Sequence, residues 1–361
     1  LKEAVIVRAG RTAIGKVNGM HRELEAHELA ASVIRPLALG IENKIDDVLL
    51  GNVVGPGGNV ARVSALEAGL PLSVPGLTLD RQCSAGLEAI RMASYLIQAG
   101  AGHCYIAGGV ESASTSPTPL KSRFAPDRFG DPEMGVGAEN VAQEFGITRE
   151  DQDAYAVMSH ERSWTAYKEG IFQKEIVDDS QDEYFAKKRD IIRIAPRARP
   201  LFVAEGGTVT AANSCQVNDG AAATVVMEAE RAKELGLEPI LRFKDSIVIG
   251  ADPNLPGAAP IPAIRTLLER NNLSVADVDT FEINEAFASK ILAIAKSLQI
   301  PLGKINPHGG ALALGHPYGA SGAVLVTRLF QTAQRTDMSY AVAAIGSGGG
   351  IGLAVLFEAI R

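Results

Sequence analysis

The sequence predicts an α/β fold made of two similar halves, with a segment inserted between them. Three observations carry that prediction. Strand-like and helix-like stretches alternate along almost the whole chain, the pattern of buried strands flanked by helices. Short motifs of the first half return in the second at a nearly constant offset. The 361 residues also hold 37 glycines but only 5% aromatics, a composition suited to tight turns and closely approaching backbones. A chain of this length is too long for one ordinary core and comfortable for two.

In order, residues 3–7, 48–54, 77–79 and 104–107 read as strands, and 23–39 and 87–98 as helices. The second half repeats this with strands at 240–248, 280–283 and 340–345 and helices at 262–270 and 321–334. Asp47-Val48-Leu49-Leu50-Gly51-Asn52 aligns with Asp279-Thr280-Phe281-Glu282-Ile283-Asn284, an offset of 232 residues. Cys83-Ser84-Ala85-Gly86 aligns with Gly319-Ala320-Ser321-Gly322 at 236, and Tyr105-Ile106-Ala107 with Tyr340-Ala341-Val342 at 235. That shared spacing predicts halves packed about a pseudo-twofold axis. The longest uncharged stretch, 339–357, is broken by glycines and reads as two buried strands around a turn, not a membrane span.

Residues 117–200 break the pattern with Pro and Arg clusters and one marked helix, announced by a capping box at Thr148-Arg149-Glu150-Asp151. This segment reads as an insertion over the main body, the usual place for substrate contacts. The expected division is 1–116 with 211–238 as the first half, 117–210 as the loop domain, and 239–361 as the second half.

A formal charge of −7 argues against a general nucleic-acid or anionic-membrane binder. Three cysteines without a C-x-x-C pair make neither a disulfide framework nor a structural zinc site, so a reducing cytoplasm and no metal are expected. The first residues lack a basic, apolar signal pattern, and the numbering opens on Leu1, as if inside the native chain.

Cys83 stands between a short strand and a helix, where exposed N–H groups and the helix dipole would stabilise a thiolate. A small buried core thiol is the alternative. His21, His27 and His160 lie among charged residues and read as solvated, and His103 has no obvious partner. His308 and His316 instead flank a glycine-rich loop before a helix. Near Cys83, one of them becomes a general base or oxyanion donor. Two near-misses fail. Gly10 to Lys16 lacks the hydroxyl that should follow a P-loop lysine, and Gly346 to Gly352 fits no dinucleotide fingerprint.

The ordered motifs resemble those of the thiolases (acetyl-CoA acetyltransferases and 3-ketoacyl-CoA thiolases) nearly from end to end. They include Arg11-Thr12, Gln82-Cys83-Ser84-Ala85-Gly86, Gly108-Gly109-Val110-Glu111-Ser112 and Met134-Gly135. Asn218-Asp219-Gly220-Ala221-Ala222, Asn284-Glu285-Ala286-Phe287, and Gly309-Gly310 through Gly315-His316-Pro317 complete them. The resemblance implies a duplicated αβαβα layered fold with a loop domain covering acyl-CoA. It implies that Cys83 takes the acyl group and that His316 activates it. Asn284, through a water, and His316 would form one oxyanion hole, and the N–H groups of Cys83 and Gly348 the other. Met134, Cys215, Ala286 and Phe287 would meet the acyl-pantetheine arm. A CoA thioester is then a substrate with no further cofactor, and the protein a homodimer or homotetramer.

The departures bear on the reaction. Where thiolases carry a second cysteine that moves the α-proton, this sequence has Gly346, and neighbouring Ser347 is too weak an acid to replace it. Glu133 stands where a histidine is usual, placing a negative charge near the acyl path. Ala212-Asn213-Ser214-Cys215-Gln216 replaces the usual pantetheine stretch. Segments 117–132 and 189–199 look short, and His308 replaces an asparagine. The expected function is therefore an acyltransferase with an acyl-enzyme on Cys83 and impaired C–C chemistry. A fully active acetoacetyl-CoA thiolase using His308 or water as base is one alternative, and a non-catalytic acyl-CoA binder another.

Overall fold

The computed structural model describes residues 1–117, 122–187 and 190–360. Positions 118–121 of the short 117–132 segment, and Arg189 of 189–199, lie outside the described residues. The first half runs β1 (Ala4–Arg11), β2 (Gly15–Lys16), α1 (Ala26–Ala38), β3 (Asp47–Gly51), α2 (Val60–Glu67), β4 (Leu77–Leu79), α3 (Ala85–Gln98) and β5 (Cys104–Glu111). The inserted segment holds α4 (Met134–Phe145), α5 (Arg149–Lys168) and α6 (Ile191–Ile194), after which β6 (Asn218–Glu228) and α7 (Ala229–Glu234) follow. The chain then runs β7 (Leu241–Gly250), α8 (Pro260–Arg270), β8 (Thr280–Ile283), α9 (Ala288–Leu298), α10 (Ala311–Leu314), α11 (Tyr318–Ala333), β9 (Tyr340–Ser347) and β10 (Ile351–Ala359).

The strand order is β4-β3-β5-β6-β1-β7-β10-β9-β8. Read inward from β3 and from β8, the two sides match: one parallel contact, then two antiparallel ones. The sides meet through β1 and β7, over the pairs Val5 with Arg242 and Ile6 with Leu241. The register refines the repeat. Asp279 accepts the N–H groups of Ser339 and Tyr340 at 2.7 and 3.1 Å. On the other side it is Asp46, not Asp47, that accepts from His103 and Cys104, at 2.6 and 2.9 Å. The motif alignment was thus one residue out of step with the backbone.

Strand residues divide between cores by alternation, since successive side chains point to opposite faces. Ile6 packs inward with Leu87 and Ile90 of α3 and Val326 and Leu329 of α11. Its neighbours Val5 and Val7 face out onto Leu29 and Val33 of α1. In the second half Leu353 and Val355 join the inner core, while Ala354 and Leu356 face Ile264 of α8 and Ile291 of α9. The result is five layers, αβαβα, with α3 and α11 in the middle. These central helices meet through small residues. A Cβ on Gly86 would lie 2.5 Å from the carbonyl oxygen of Gly319, and one on Gly322 would lie 2.5 Å from the nitrogen of Leu87. Only glycine permits backbones that close.

Strand β6 was not visible as a strand in the sequence. All but its last residue are buried, so it shows no polar alternation, and Ala221–Ala223 lack β-branched character. The capping box at α5 forms as read: Thr148 Oγ1 accepts from Asp151 N–H, and the Asp151 carboxylate accepts from Thr148 N–H, both at 3.1 Å. Two histidine readings change. His160 is buried with its Nδ1 2.7 Å from Tyr184 Oη, and His103 Nδ1 sits 2.5 Å from Glu228 Oε2. Among the described residues no helix is long and apolar enough to cross a membrane.

The inserted segment is tied to the body by a buried ionic network. Arg11, at the end of β1, donates from Nε to Glu175 at 2.7 Å and from Nη1 and Nη2 to Asp182 at 2.6 and 3.0 Å. Arg328 of α11 donates to the same Glu175 at 2.8 Å. All four groups are almost wholly excluded from solvent.

Candidate active site

Cys83 lies in the turn between β4 and α3. The Asp80 carboxylate accepts the Gln82 N–H at 2.6 Å, and Gln82 is held at φ 50°, an uncommon conformation for a residue other than glycine. Ser84 N–H donates to Ser347 Oγ at 3.0 Å, and the two hydroxyls are 2.5 Å apart, which fixes the start of α3 against the end of β9. The Ser347 hydroxyl is thereby engaged in positioning the turn. The thiol is not a resting thiolate. Burial pushes it up to about 11, and the nearby Glu111 carboxylate adds to this, while the Lys290 charge pulls the other way. Desolvation outweighs the helix terminus on which the sequence expectation rested.

His316, two residues before α11, is 2% exposed. Its Nδ1 is 2.5 Å from Ser321 Oγ, and its Nε2 is 3.4 Å from the Asn284 side-chain amide. Because an amide nitrogen only donates, Nε2 is the accepting nitrogen and Nδ1 carries the hydrogen donated to Ser321. Burial, and then the charge of Lys290, push this imidazole down to about 3. It is a neutral ring whose Nε2 lone pair meets the Asn284 amide at 3.4 Å. Asn284 ends β8, with its N–H on Ala344 O of β9 at 3.1 Å. The repeat therefore brings Cys83, Asn284 and His316 to the same end of the central layers.

Gly346 and Gly348 flank Ser347 here. A Cβ on Gly348 would lie 2.5 Å from the Phe124 ring, so that ring covers this backbone, and the chain turns through Gly349 and Gly350 at φ 80° and 73°. Gly346 is equally crowded: a Cβ would fall 2.9 Å from Pro256 O and 2.9 Å from Pro260 Cδ. Neither neighbour is a flexible side-chain end. Gly346→Cys is therefore expected to destabilise the fold by about 1–3 kcal/mol and to leave thiolysis no faster, as a denaturant midpoint and a coupled assay would show.

One side chain at this position was missed in the sequence. Lys290, on the first turn of α9, is 2% exposed, and its Nζ donates to Gly346 O at 3.0 Å. Burial pushes its ammonium down to about 8, against the opposing charges of Cys83 and Cys215. The available signal was a lysine set among apolar residues in Ala288–Leu298, three positions after Phe287.

Around the cysteine, Cys215 N–H donates to Ala286 O at 2.9 Å, and Ser214 bridges Phe287, which brings these predicted lining residues together. Burial, with the Cys83 charge, pushes the Cys215 thiol up to about 12. Phe202, also missed, stacks edge-on with Phe287 at 6.4 Å and packs over Gly135, beside Met134 at the start of α4. Glu133 is exposed at that helix start. His308 does not join the group. It is pushed down to about 4 by burial and by Arg328 and Arg335, while Glu175 of the ionic network pulls the other way. Two residues before it, Asn306 donates to Glu285 at 3.0 Å.

Thiolase N-terminal and C-terminal domain families match residues 4–230 and 237–359. The "Putative acetyl-CoA C-acetyltransferase YhfS" of Bacillus subtilis is 57% identical over 361 residues, 99% of each chain. The "Putative acetyl-CoA C-acetyltransferase VraB" of Staphylococcus aureus is 45% identical, again over 99% of both. The crystal structure of the Bacillus anthracis acetyl-CoA acetyltransferase superposes with a TM-score of 0.92 at 35% identity, covering 100% of this chain and 99% of that one. With two matching domains and full-length relatives, the chain belongs to the thiolase family.

Proposed function

We propose that this thiolase is an acyl-CoA acyltransferase, similar in reaction to the acetyl-CoA C-acetyltransferases it resembles, that carries its acyl group on Cys83. The observation that carries this reading is the neutral, buried His316, held by Asn284 and Ser321, with Lys290 acting on both it and Cys83. As Cys83 Sγ attacks the thioester carbon, its proton passes to His316 Nε2. The oxyanion gains the N–H groups of Cys83 and Gly348 as donors. Collapse breaks the bond to the CoA sulfur, which takes the proton from His316 and leaves. The second step, making or breaking a C–C bond, then proceeds without a cysteine at 346.

Incubation with acetyl-CoA followed by intact-protein mass is expected to show an acetyl adduct that Cys83→Ser removes. Absence of any adduct with acetyl-, butyryl- and hexanoyl-CoA would overturn the proposal. It would leave the acyl-CoA binder as the better reading.

A further inference from the structure

We propose that Lys290 is the acid–base residue of the C–C step, its ε-amine lying 3.0 Å from the carbonyl oxygen of Gly346. This rests on the acyl-enzyme reading above and extends it. Condensation needs a group that removes a proton from the α-carbon of the second acyl-CoA, and thiolysis needs one that returns it. The other titratable groups of the site are unsuited. Cys83 is acylated in that step, and His316, pushed down to about 3, is a far weaker base toward a carbon-bound proton than an amine near 8. The Ser347 hydroxyl is bound to Ser84, and His308 lies with the ionic network.

Lys290 differs from all of these. Its Nζ reaches Gly346 O at 3.0 Å, its sole hydrogen bond among the described residues, and two of its three donor positions remain for a substrate or water. It is 2% exposed, and the titratable side chains that act on it are two thiols, Cys83 and Cys215, with no carboxylate among them. A buried ammonium without a carboxylate partner is costly to keep and titrates easily, which suits a group that works by gaining and losing a proton. Cys215 before β6, Cys83 before α3 and His316 before α11 are the titratable groups facing it.

In condensation the neutral amine takes the α-proton. The resulting carbanion forms a bond to the acyl carbon, the bond to Cys83 Sγ breaks with its electron pair on sulfur, and the ammonium returns the proton to that thiolate. Thiolysis runs the same steps backwards, beginning with transfer of the Cys83 proton to the neutral amine.

The test separates the two half-reactions in one enzyme. Lys290→Met is expected to lower acetoacetyl-CoA thiolysis and exchange of the acetyl-CoA methyl protons with D2O by about 10²–10⁴-fold, while adduct formation on Cys83 changes less than about tenfold. Unchanged thiolysis, or equal losses in both half-reactions, would overturn the assignment. So would Cys215→Ala abolishing methyl exchange while Lys290→Met spares it. Should the variant fail to fold, the wild-type pH profiles decide. Relative to adduct formation, condensation and thiolysis should both rise as pH passes through about 8, and ratios flat across that range would count against Lys290. A wild-type enzyme that forms no adduct fails the reading of Cys83 instead.

Discussion

Replacing His316 with alanine is expected to slow acyl-enzyme formation from acetyl-CoA by about 10²–10⁴-fold in a protein that still folds. The ring is buried and neutral, pushed down to about 3, and the thiol it serves is pushed up to about 11. The resting site is therefore thiol beside imidazole, not thiolate beside imidazolium. Proton transfer has to accompany attack on the thioester, and the alanine variant lacks the Nε2 proposed to take that proton. The same values fix a pH dependence. A thiol titrating near 11 exposes about ten times more thiolate for each unit of rising pH below that point. Iodoacetamide labelling of Cys83 in the free enzyme should accelerate continuously up to about pH 11. A plateau between about pH 6 and 8 would reveal a preformed thiolate and contradict this account. Labelling by pH, together with the burst of adduct formation in the His316→Ala variant, separates loss of the base from loss of the fold.

Glu175→Gln is expected to have the largest effect on stability, about 3–5 kcal/mol, because it leaves two buried guanidinium groups without their shared carboxylate. Arg11 Nε at 2.7 Å and Arg328 Nε at 2.8 Å both converge on that carboxylate. Burial by itself would push Glu175 up, but Arg328 and Arg11 hold it down at about 2. A depressed carboxyl contributes stability that is complete above its ordinary value of 4.5 and is lost as pH falls towards about 2. The variant should therefore show both a lower urea midpoint at neutral pH and a weaker acid dependence between those values. A midpoint within experimental error of the wild type would show that the network contributes little beyond packing. Because Glu175 belongs to the inserted segment and Arg11 to β1, limited proteolysis in that segment should increase in parallel.

Much of this was legible from residues alone. Alternating strands and helices, the returning motifs and the 339–357 stretch each predicted elements that the structure contains, because buried apolar runs and turn glycines act locally. The position of Cys83 between β4 and α3 was readable for the same reason. What local pattern could not supply is the outcome of competition between terms. A helix terminus favours a thiolate, yet burial and Glu111 together push the thiol up. His308 and His316 look alike in a glycine-rich loop, and only the turn of that loop towards Glu285 and the arginine network separates them.

The sequence by itself determined the family pattern, the turn that carries Cys83 and the absence of a side chain at 346. Only the tertiary structure decided why 346 stays bare and what stands against it. Pro256 and Pro260 occupy the space a Cβ would need, and a lysine from α9, remote in sequence, brings its amine to the same carbonyl. Sequence spacing reports neighbours along a helix or strand, whereas this contact joins a helix to a strand 56 residues away. Desolvation and close approach depend on every atom packed around a group, so they become readable only once the layers have closed.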